Sequence, residues 1–246
     1  MDQDYVFVPT GALGNTLIQL TSMQPECTRL HDSVYNYELS NCITINGFER
    51  VSYTGKIPDT PICINPHTVN VVHPKIRSII KPTVFMEKMI QDNIHILNGV
   101  SCGVSIRRGS YSQDSIQYKD ERSKSPEFYF CSDEGVDNFR KIIREAPGKV
   151  FVSSDSYSTL ESIIAEFGDK IRTLDTPSFV IGMSQDDNEN ITVDTYQSIY
   201  LRFFILSKCP HLFLTGGRTD FVGFSTYAYM AAIYGNKPFS IVFNSS

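Results

Sequence analysis

The sequence predicts an α/β protein built on a parallel sheet. After Gly99, short β-branched apolar runs alternate with stretches that have helical spacing, each of about 10–15 residues. That rhythm is the signature of βαβ units. The apolar runs also stop on polar, cationic or glycine-rich residues, and in a parallel sheet such ends share one edge.

The elements follow in order. Tyr5 to Val8 is a short apolar strand running into Pro9-Thr10-Gly11-Ala12-Leu13-Gly14-Asn15-Thr16, a glycine-bearing turn, and then the helix start Leu17 to Leu20. From about Val34 to Val72, strand-like pieces such as Cys42 to Ile45 and Pro61 to Ile64 are broken by Asn, Gly and Pro. Pro74 to Ile80 and Val84 to Leu97 have helical spacing, with Phe85, Met89, Ile90, Ile94 and Leu97 on one stripe that reads as core. Val100 to Ile106 is a buried strand, followed by a polar loop from about Ser112 to Ser125. A helix through Val136 to Arg144 ends at Pro147-Gly148. Then come a strand (Lys149 to Ser153), a helix (Ser158 to Phe167) and a strand (Lys170 to Leu174). An acidic loop centred on Gln185 to Glu189 leads to a helix, Thr195 to Ser207, and a strand, His211 to Thr215. A helix from Ser225 to Tyr234 and a strand from Phe239 to Phe243 close the chain, and no internal repeat is visible.

Three strand ends carry chemistry. The first is Gly103-Val104-Ser105-Ile106-Arg107-Arg108-Gly109-Ser110. Arginine presents a planar fork of donors suited to phosphate. Two arginines at a buried strand's end therefore read as a seat for an anionic, phosphorylated ligand, against the plainer reading of surface cations at a strand–loop junction. The second is Val152-Ser153-Ser154-Asp155-Ser156, where Asp155 either accepts from a ribose, sugar or base donor or caps the next helix. The third is Thr215-Gly216-Gly217-Arg218, after which a helix opens at Phe224-Ser225-Thr226. Free N–H groups and the helix dipole favour phosphate there, and a glycine-permitted turn with a serine cap is the alternative.

Composition narrows the class. The 246 residues are 41% apolar, 12% aromatic and 20% charged, an ordinary globular profile. With 22 Lys+Arg against 27 Asp+Glu, the net charge of -5 argues against a general nucleic-acid binder. No apolar stretch approaches the ~18 residues of a membrane span. The Met-Asp-Gln-Asp start lacks a signal-peptide pattern, which points to the cytoplasm. Cys27, Cys42, Cys63, Cys102, Cys131 and Cys209 form no C-x-x-C pair and read as reduced, mostly buried thiols. The sequons at Asn190 and Asn244 carry little weight without secretion, and His31, His67, His73 and His95 share no spacing.

Several of these segments resemble a known family. Gly11-Ala12-Leu13-Gly14-Asn15-Thr16-Leu17-Ile18-Gln19 resembles the Gly-Gly-Leu-Gly-Asn-Gln-x-x-Gln opening of bacterial α-1,2-fucosyltransferases. Ser105-Ile106-Arg107-Arg108-Gly109-Ser110-Tyr111 resembles their His-x-Arg-Arg-Gly-Asp-Tyr motif. Val152-Ser153-Ser154-Asp155-Ser156 is similar to their strand ending in Ser/Thr-Asp-Asp or Ser/Thr-Asp-Ser. Leu206-Ser207-Lys208-Cys209, an apolar strand and then Phe224-Ser225 before a helix resemble the last motif. The later three are shared with α-1,6-fucosyltransferases, including the nodulation type. Order and spacing agree from Gly11 to about Ala232.

The resemblance implies a GT-B architecture: two Rossmann-like domains with parallel sheets facing across a cleft. Residues 1–98 would form the acceptor side and residues 99–246 the nucleotide-sugar side. It implies an inverting, metal-independent transfer of a sugar, fucose in the family, from GDP-fucose to a glycan hydroxyl. No cofactor or metal is expected; Asp186-Asp187 read as solvated. Arg107 would grip the β-phosphate and Arg108 would support the site or the leaving group. Gly11, Gly14, Asn15, Ser105, Ser154, Asp155, Arg202, Phe224, Ser225 and Thr226 would line the donor.

The chain departs from the pattern at three places. Ser105 replaces the family histidine and Ser110 the family aspartate. Arg202 stands where many relatives place a guanine-reading aspartate. Arginine has no acceptor for guanine N–H groups, so a UDP-sugar donor, with xylose as one example, is an alternative. Asp114, Asp120 and Glu121 are candidate bases in the loop after the arginines. A non-catalytic nucleotide-sugar binder is a further reading. A dinucleotide oxidoreductase fits poorly, because the G-x-G-x-x-G spacing is not met. An all-β carbohydrate-binding module fits poorly too, because Trp is absent.

Overall fold

A computed structural model describes residues 14, 17, 29–31, 42–47, 49–51, 76–112, 129–174, 193–219 and 223–244. Five parallel strands form the main sheet: β5 (Val100–Ile106), β6 (Lys149–Ser154), β7 (Ile171–Arg172), β8 (Leu212–Thr215) and β9 (Phe239–Val242). Their order is β7-β6-β5-β8-β9. The chain first steps outward from β5 to β6 and β7, then returns to lay β8 on the other side of β5. The point where that direction reverses lies between β5 and β8, and open α/β sheets bind ligands at such a point.

Reversal of direction puts helices on both faces. Helices α3 (Asp133–Glu145) and α4 (Tyr157–Phe167) follow the outward steps and cover one face. There Val136, Phe139, Ile143, Leu160 and Ile163 pack on Cys102, Val104, Ile106, Val150 and Val152. Helices α5 (Val193–Leu206) and α6 (Thr226–Gly235) cover the other. Phe203, Phe204, Leu206, Ala228 and Ala231 lie there with Phe151, Leu212 and Leu214. Alternation along a strand does the sorting: Val150 and Val152 enter one core and Phe151 the other.

The second core also takes in the earlier pieces. Leu17, Cys42, Ile43, Ile76, Ile79, Met86 and Ile90 join it. Here β1 (Arg29–His31) pairs in parallel with β3 (Glu49–Val51), and β2 (Ile43–Ile45) pairs antiparallel with β4 (Ile80–Pro82). Helix α1 is short, Ile76–Ile79. Helix α2 runs from Val84 to Asn93, with the Thr83 hydroxyl accepting from the Met86 N–H, and a 3-10 turn, Ile94–Leu97, follows it.

Strand and helix positions in residues 99–246 agree with expectation to within a few residues. Two expectations elsewhere need correcting. The helix expected over Pro74 to Ile80 gives way to strand β4 at Ile80. On α2 the deepest positions are Met86 and Ile90, whereas Phe85 is 39% exposed. Expectations for Tyr5 to Val8, Pro61 to Ile64, most of Ser112 to Ser125 and Gln185 to Glu189 lie outside the described residues.

Candidate active site at the sheet switch point

Strands β5 and β8 are tied together at their C-terminal ends by one hydroxyl. Thr215 Oγ1 donates to the Ser105 carbonyl at 3.0 Å and accepts from the Arg107 N–H at 2.9 Å. The Thr215 carbonyl accepts from the Ser225 N–H at 2.8 Å. One fully buried residue thus joins the arginine strand to the start of α6.

The two arginines have different environments. Arg107 is half-buried, and its guanidinium lies over the Phe130 ring, 4.9 Å from the centroid. Its carbonyl accepts from the Cys131 N–H at 2.7 Å. Arg108 is only 5% exposed and turns inward. It donates to the Cys131 carbonyl at 2.6 Å, the Tyr111 carbonyl at 3.0 Å and Asp133 Oδ1 at 2.6 Å. Arg108 is an internal cross-link of the loop, and Arg107 is the cation placed at the edge.

Asp155 completes that loop. Its two carboxylate oxygens accept from the Arg108 N–H at 2.6 Å and the Gly109 N–H at 3.0 Å. A pair of adjacent N–H groups at a turn is an anion seat, and here an internal carboxylate fills it. Gly109 has φ +48, and a side chain there would meet the Phe130 ring at 2.4 Å. The cap of α4 is Ser156, whose hydroxyl accepts from the Thr159 N–H at 3.2 Å, so the capping role considered for Asp155 belongs to its neighbour. Ser154 is buried, and its hydroxyl accepts from the Ser156 N–H at 3.1 Å.

The start of α6 differs from those of α3 and α4. Ser132 and Ser156 cap their helices with side-chain hydrogen bonds, whereas Ser225 stands at the α6 cap position and makes none. Phe224 bridges to Gly216, and both Ser225 and Thr226 are buried. Gly14 comes up against this helix start: a Cβ on it would lie 2.3 Å from the Tyr227 nitrogen and 2.7 Å from Thr226 Oγ1. The structure therefore gathers Gly14, Ser105, Arg107, Phe224, Ser225 and Thr226 around the β5–β8 edge. Gly11, Asn15, Asp114, Asp120, Glu121, Asp186 and Asp187 lie outside the described residues, as does the Ser110 side chain.

Arg202 lies on α5, 1% exposed, and donates to the Leu174 carbonyl at 3.1 Å. The Tyr227 hydroxyl donates to the Ile199 carbonyl at 2.7 Å; burial pushes its pKa up, against the opposing pull of Arg202. Burial also raises Cys131 and Cys209 to about 12, and the free thiols Cys42, Cys102, Cys131 and Cys209 are all buried. Among the described residues no three His, Cys, Asp or Glu side chains gather as a metal site would, and no helix is long and apolar enough to cross a membrane.

The sequence assigned no role in the site to Thr215, Phe130 or Asn244. Thr215 ends an apolar strand before two glycines, a visible signal. Phe130 and Asn244 have no local signal, because their partners are distant in sequence.

No protein-family model matches the chain, and no curated protein matches it. Solved structures do. The fucosyltransferase NodZ from Bradyrhizobium, as its selenomethionine form, is 14% identical with a TM-score of 0.56, covering 94% of this chain and 92% of that one. NodZ α-1,6-fucosyltransferase co-crystallized with GDP is 14% identical with a TM-score of 0.53 over the same shares. The same enzyme soaked with GDP-fucose is 14% identical with a TM-score of 0.56, covering 95% and 93%. The chain thus has the α/β fold of these fucosyltransferases, the GT-B class expected from its motifs.

Proposed function

We propose that this protein is a glycosyltransferase that draws its sugar from a nucleoside diphosphate donor and passes it to a glycan hydroxyl. The observation that carries the reading is the placement of Arg107: a half-buried arginine at the sheet's switch point, whose backbone N–H is tied through Thr215 to a helix start with no side-chain cap. NodZ α-1,6-fucosyltransferase, of like fold, was co-crystallized with GDP and soaked with GDP-fucose, which makes GDP-fucose the first donor to test. Residues 1–98 would face the acceptor and residues 99–246 the donor. The buried free thiols support a reducing compartment such as the cytoplasm.

In the mechanism we favour, the acceptor oxygen attacks the anomeric carbon from the face opposite the diphosphate, and the configuration inverts. Charge grows on the leaving phosphate as the sugar acquires oxocarbenium character. Arg107 and the N–H groups opening α6 would meet that charge without help from a metal. Arg108 would act one step back, holding the loop from which Arg107 projects. Its three internal hydrogen bonds support that division of labour.

A second donor class stays in view because of Arg202. A buried arginine on α5, bonded to the Leu174 carbonyl, supplies donors only, and guanine's N–H edge needs an acceptor. Thermal-shift titration with GDP, UDP and their sugars tests both, since a ligand bound to the folded state raises the melting temperature. We expect stabilisation by one nucleoside diphosphate, and its loss in Arg107→Ala. Stabilisation by neither, or an Arg107→Ala protein that still transfers sugar normally, would end the proposal. Binding without turnover would favour a non-catalytic nucleotide-sugar binder.

A further inference from the structure

We infer that Asn244 is a positioning residue: its amide clamps the Phe130–Ser132 segment and thereby sets the Arg107 guanidinium. Asn244 Oδ1 accepts from the Ser132 N–H at 2.8 Å, and Asn244 Nδ2 donates to the Phe130 carbonyl at 3.0 Å. The two bonds bracket Cys131, whose N–H holds the Arg107 carbonyl and whose carbonyl takes the Arg108 guanidinium. The clamped segment also supplies the ring beneath Arg107. On its other side, the Asn244 N–H donates to the Gly217 carbonyl at 3.0 Å. One residue therefore fixes the arginine platform and the glycine loop after β8 in a single register.

Chemistry makes the amide specific. The segment offers a donor at Ser132 and an acceptor at Phe130, and only a side chain with both groups answers both. Asn244 is 6% exposed, so an unmet partner would be left largely without water. Gly135 leaves room for it, since a Cβ there would lie 2.4 Å from Asn244 Oδ1. The same burial removes Asn244 from consideration as a glycosylated sequon.

The inference rests on the reading of Arg107 as the phosphate-gripping cation, and its test separates the two. Asn244→Asp keeps the shape and the acceptor, loses the donor to Phe130 and adds a carboxylate charge, whose direct repulsion of a diphosphate would persist without Arg107. Calorimetric binding of GDP and guanosine, and of UDP and uridine, is compared in each protein. The diphosphate should weaken about tenfold or more, as for a lost charge-assisted contact, while the nucleoside is unchanged. In an Arg107→Ala background the same change should have no further effect. The Arg107 Nε–Hε resonance, shifted by the Phe130 ring, should move towards its value in unfolded peptide.

Equal weakening of nucleoside and diphosphate, additivity with Arg107→Ala, or an unmoved resonance would each overturn the clamp. If the wild type binds no nucleoside diphosphate, the functional reading fails, and the resonance still decides whether Asn244 positions Arg107. If Asn244→Asp does not fold, Phe130→Leu leaves the clamp intact, removes the ring, and should show the same selective loss of diphosphate. Full diphosphate affinity in Phe130→Leu would overturn the proposal.

Discussion

The Arg107 N–H and the Thr215 hydroxyl meet at 2.9 Å, and this bond crosses the switch point of the sheet. Because Thr215 also donates to the Ser105 carbonyl, its hydroxyl serves two backbone groups at once. Valine at 215 would match the shape and remove both hydrogen bonds of the hydroxyl, at about 0.5–1.5 kcal/mol each. For a chain of this size that corresponds to a melting shift of about 2–4 °C per kcal/mol. We expect Thr215→Val to lower the melting temperature and weaken GDP or UDP binding, and Thr215→Ser to restore most of both. A Val variant as stable as wild type would show that the bond contributes nothing.

The two arginines should separate experimentally. Arg107→Ala removes a half-buried cation over a ring, worth about 0.5–1 kcal/mol at such a site. It should leave stability nearly intact while slowing transfer by about 100- to 1000-fold, the cost of losing one charge-stabilising donor. Arg108→Ala leaves the buried Cys131 carbonyl without its donor, at about 1–3 kcal/mol, and also loses the bond to the Tyr111 carbonyl. It should lower the melting temperature clearly. Circular-dichroism melts alongside donor-hydrolysis assays measure both; the opposite pattern would reverse the roles assigned here.

The α/β half was legible because alternation of apolar runs with helical stretches is a local signal that burial on both sheet faces imposes. Residues Val100 to Ile106 show it plainly. What the sequence could not display was which of two adjacent arginines turns inward. That depends on Asp133 and Asp155, which lie 25 and 47 residues from Arg108 and reach it only once the sheet is assembled. The α2 stripe was misphased for a related reason: Phe85 and Met86 both suit a helical pattern, and tertiary packing chose Met86. Gly14 could be picked out as a turn residue, but its contact with Thr226 and Tyr227 spans most of the chain.

That contact gives a sharp expectation. A methyl group on Gly14 would sit 2.3 Å from the Tyr227 nitrogen and 2.5 Å from the Thr226 carbonyl carbon, and these two nearest atoms are backbone. Rotating the Thr226 side chain would not relieve these contacts. Gly14→Ala should therefore push the glycine segment off the start of α6, lowering both the melting temperature and GDP or UDP affinity. Gly168→Ala, at a helix end with nothing within 4 Å, has φ +50 and carries backbone strain alone; it serves as the control that should leave affinity unchanged. Wild-type affinity in Gly14→Ala would mean that the two segments do not form one site.

Alkaline pH should unfold the protein through its buried thiols. Cys131 and Cys209 are raised by burial from 9.0 to about 12. In the unfolded chain each thiol ionises near the lower value, so between the two the folded state holds more protons. Stability then falls as pH rises. The contribution is complete below about pH 9 and is lost progressively towards 12. Denaturant melts at pH 8 and pH 10 should show a drop at the higher pH that shrinks in Cys209→Ala, a substitution whose baseline cost is read at pH 8. The folded protein should also resist thiol-specific alkylation at Cys131 and Cys209 at pH 8, while the urea-unfolded chain reacts. Rapid labelling of either residue in the folded state would contradict the burial on which this sign depends.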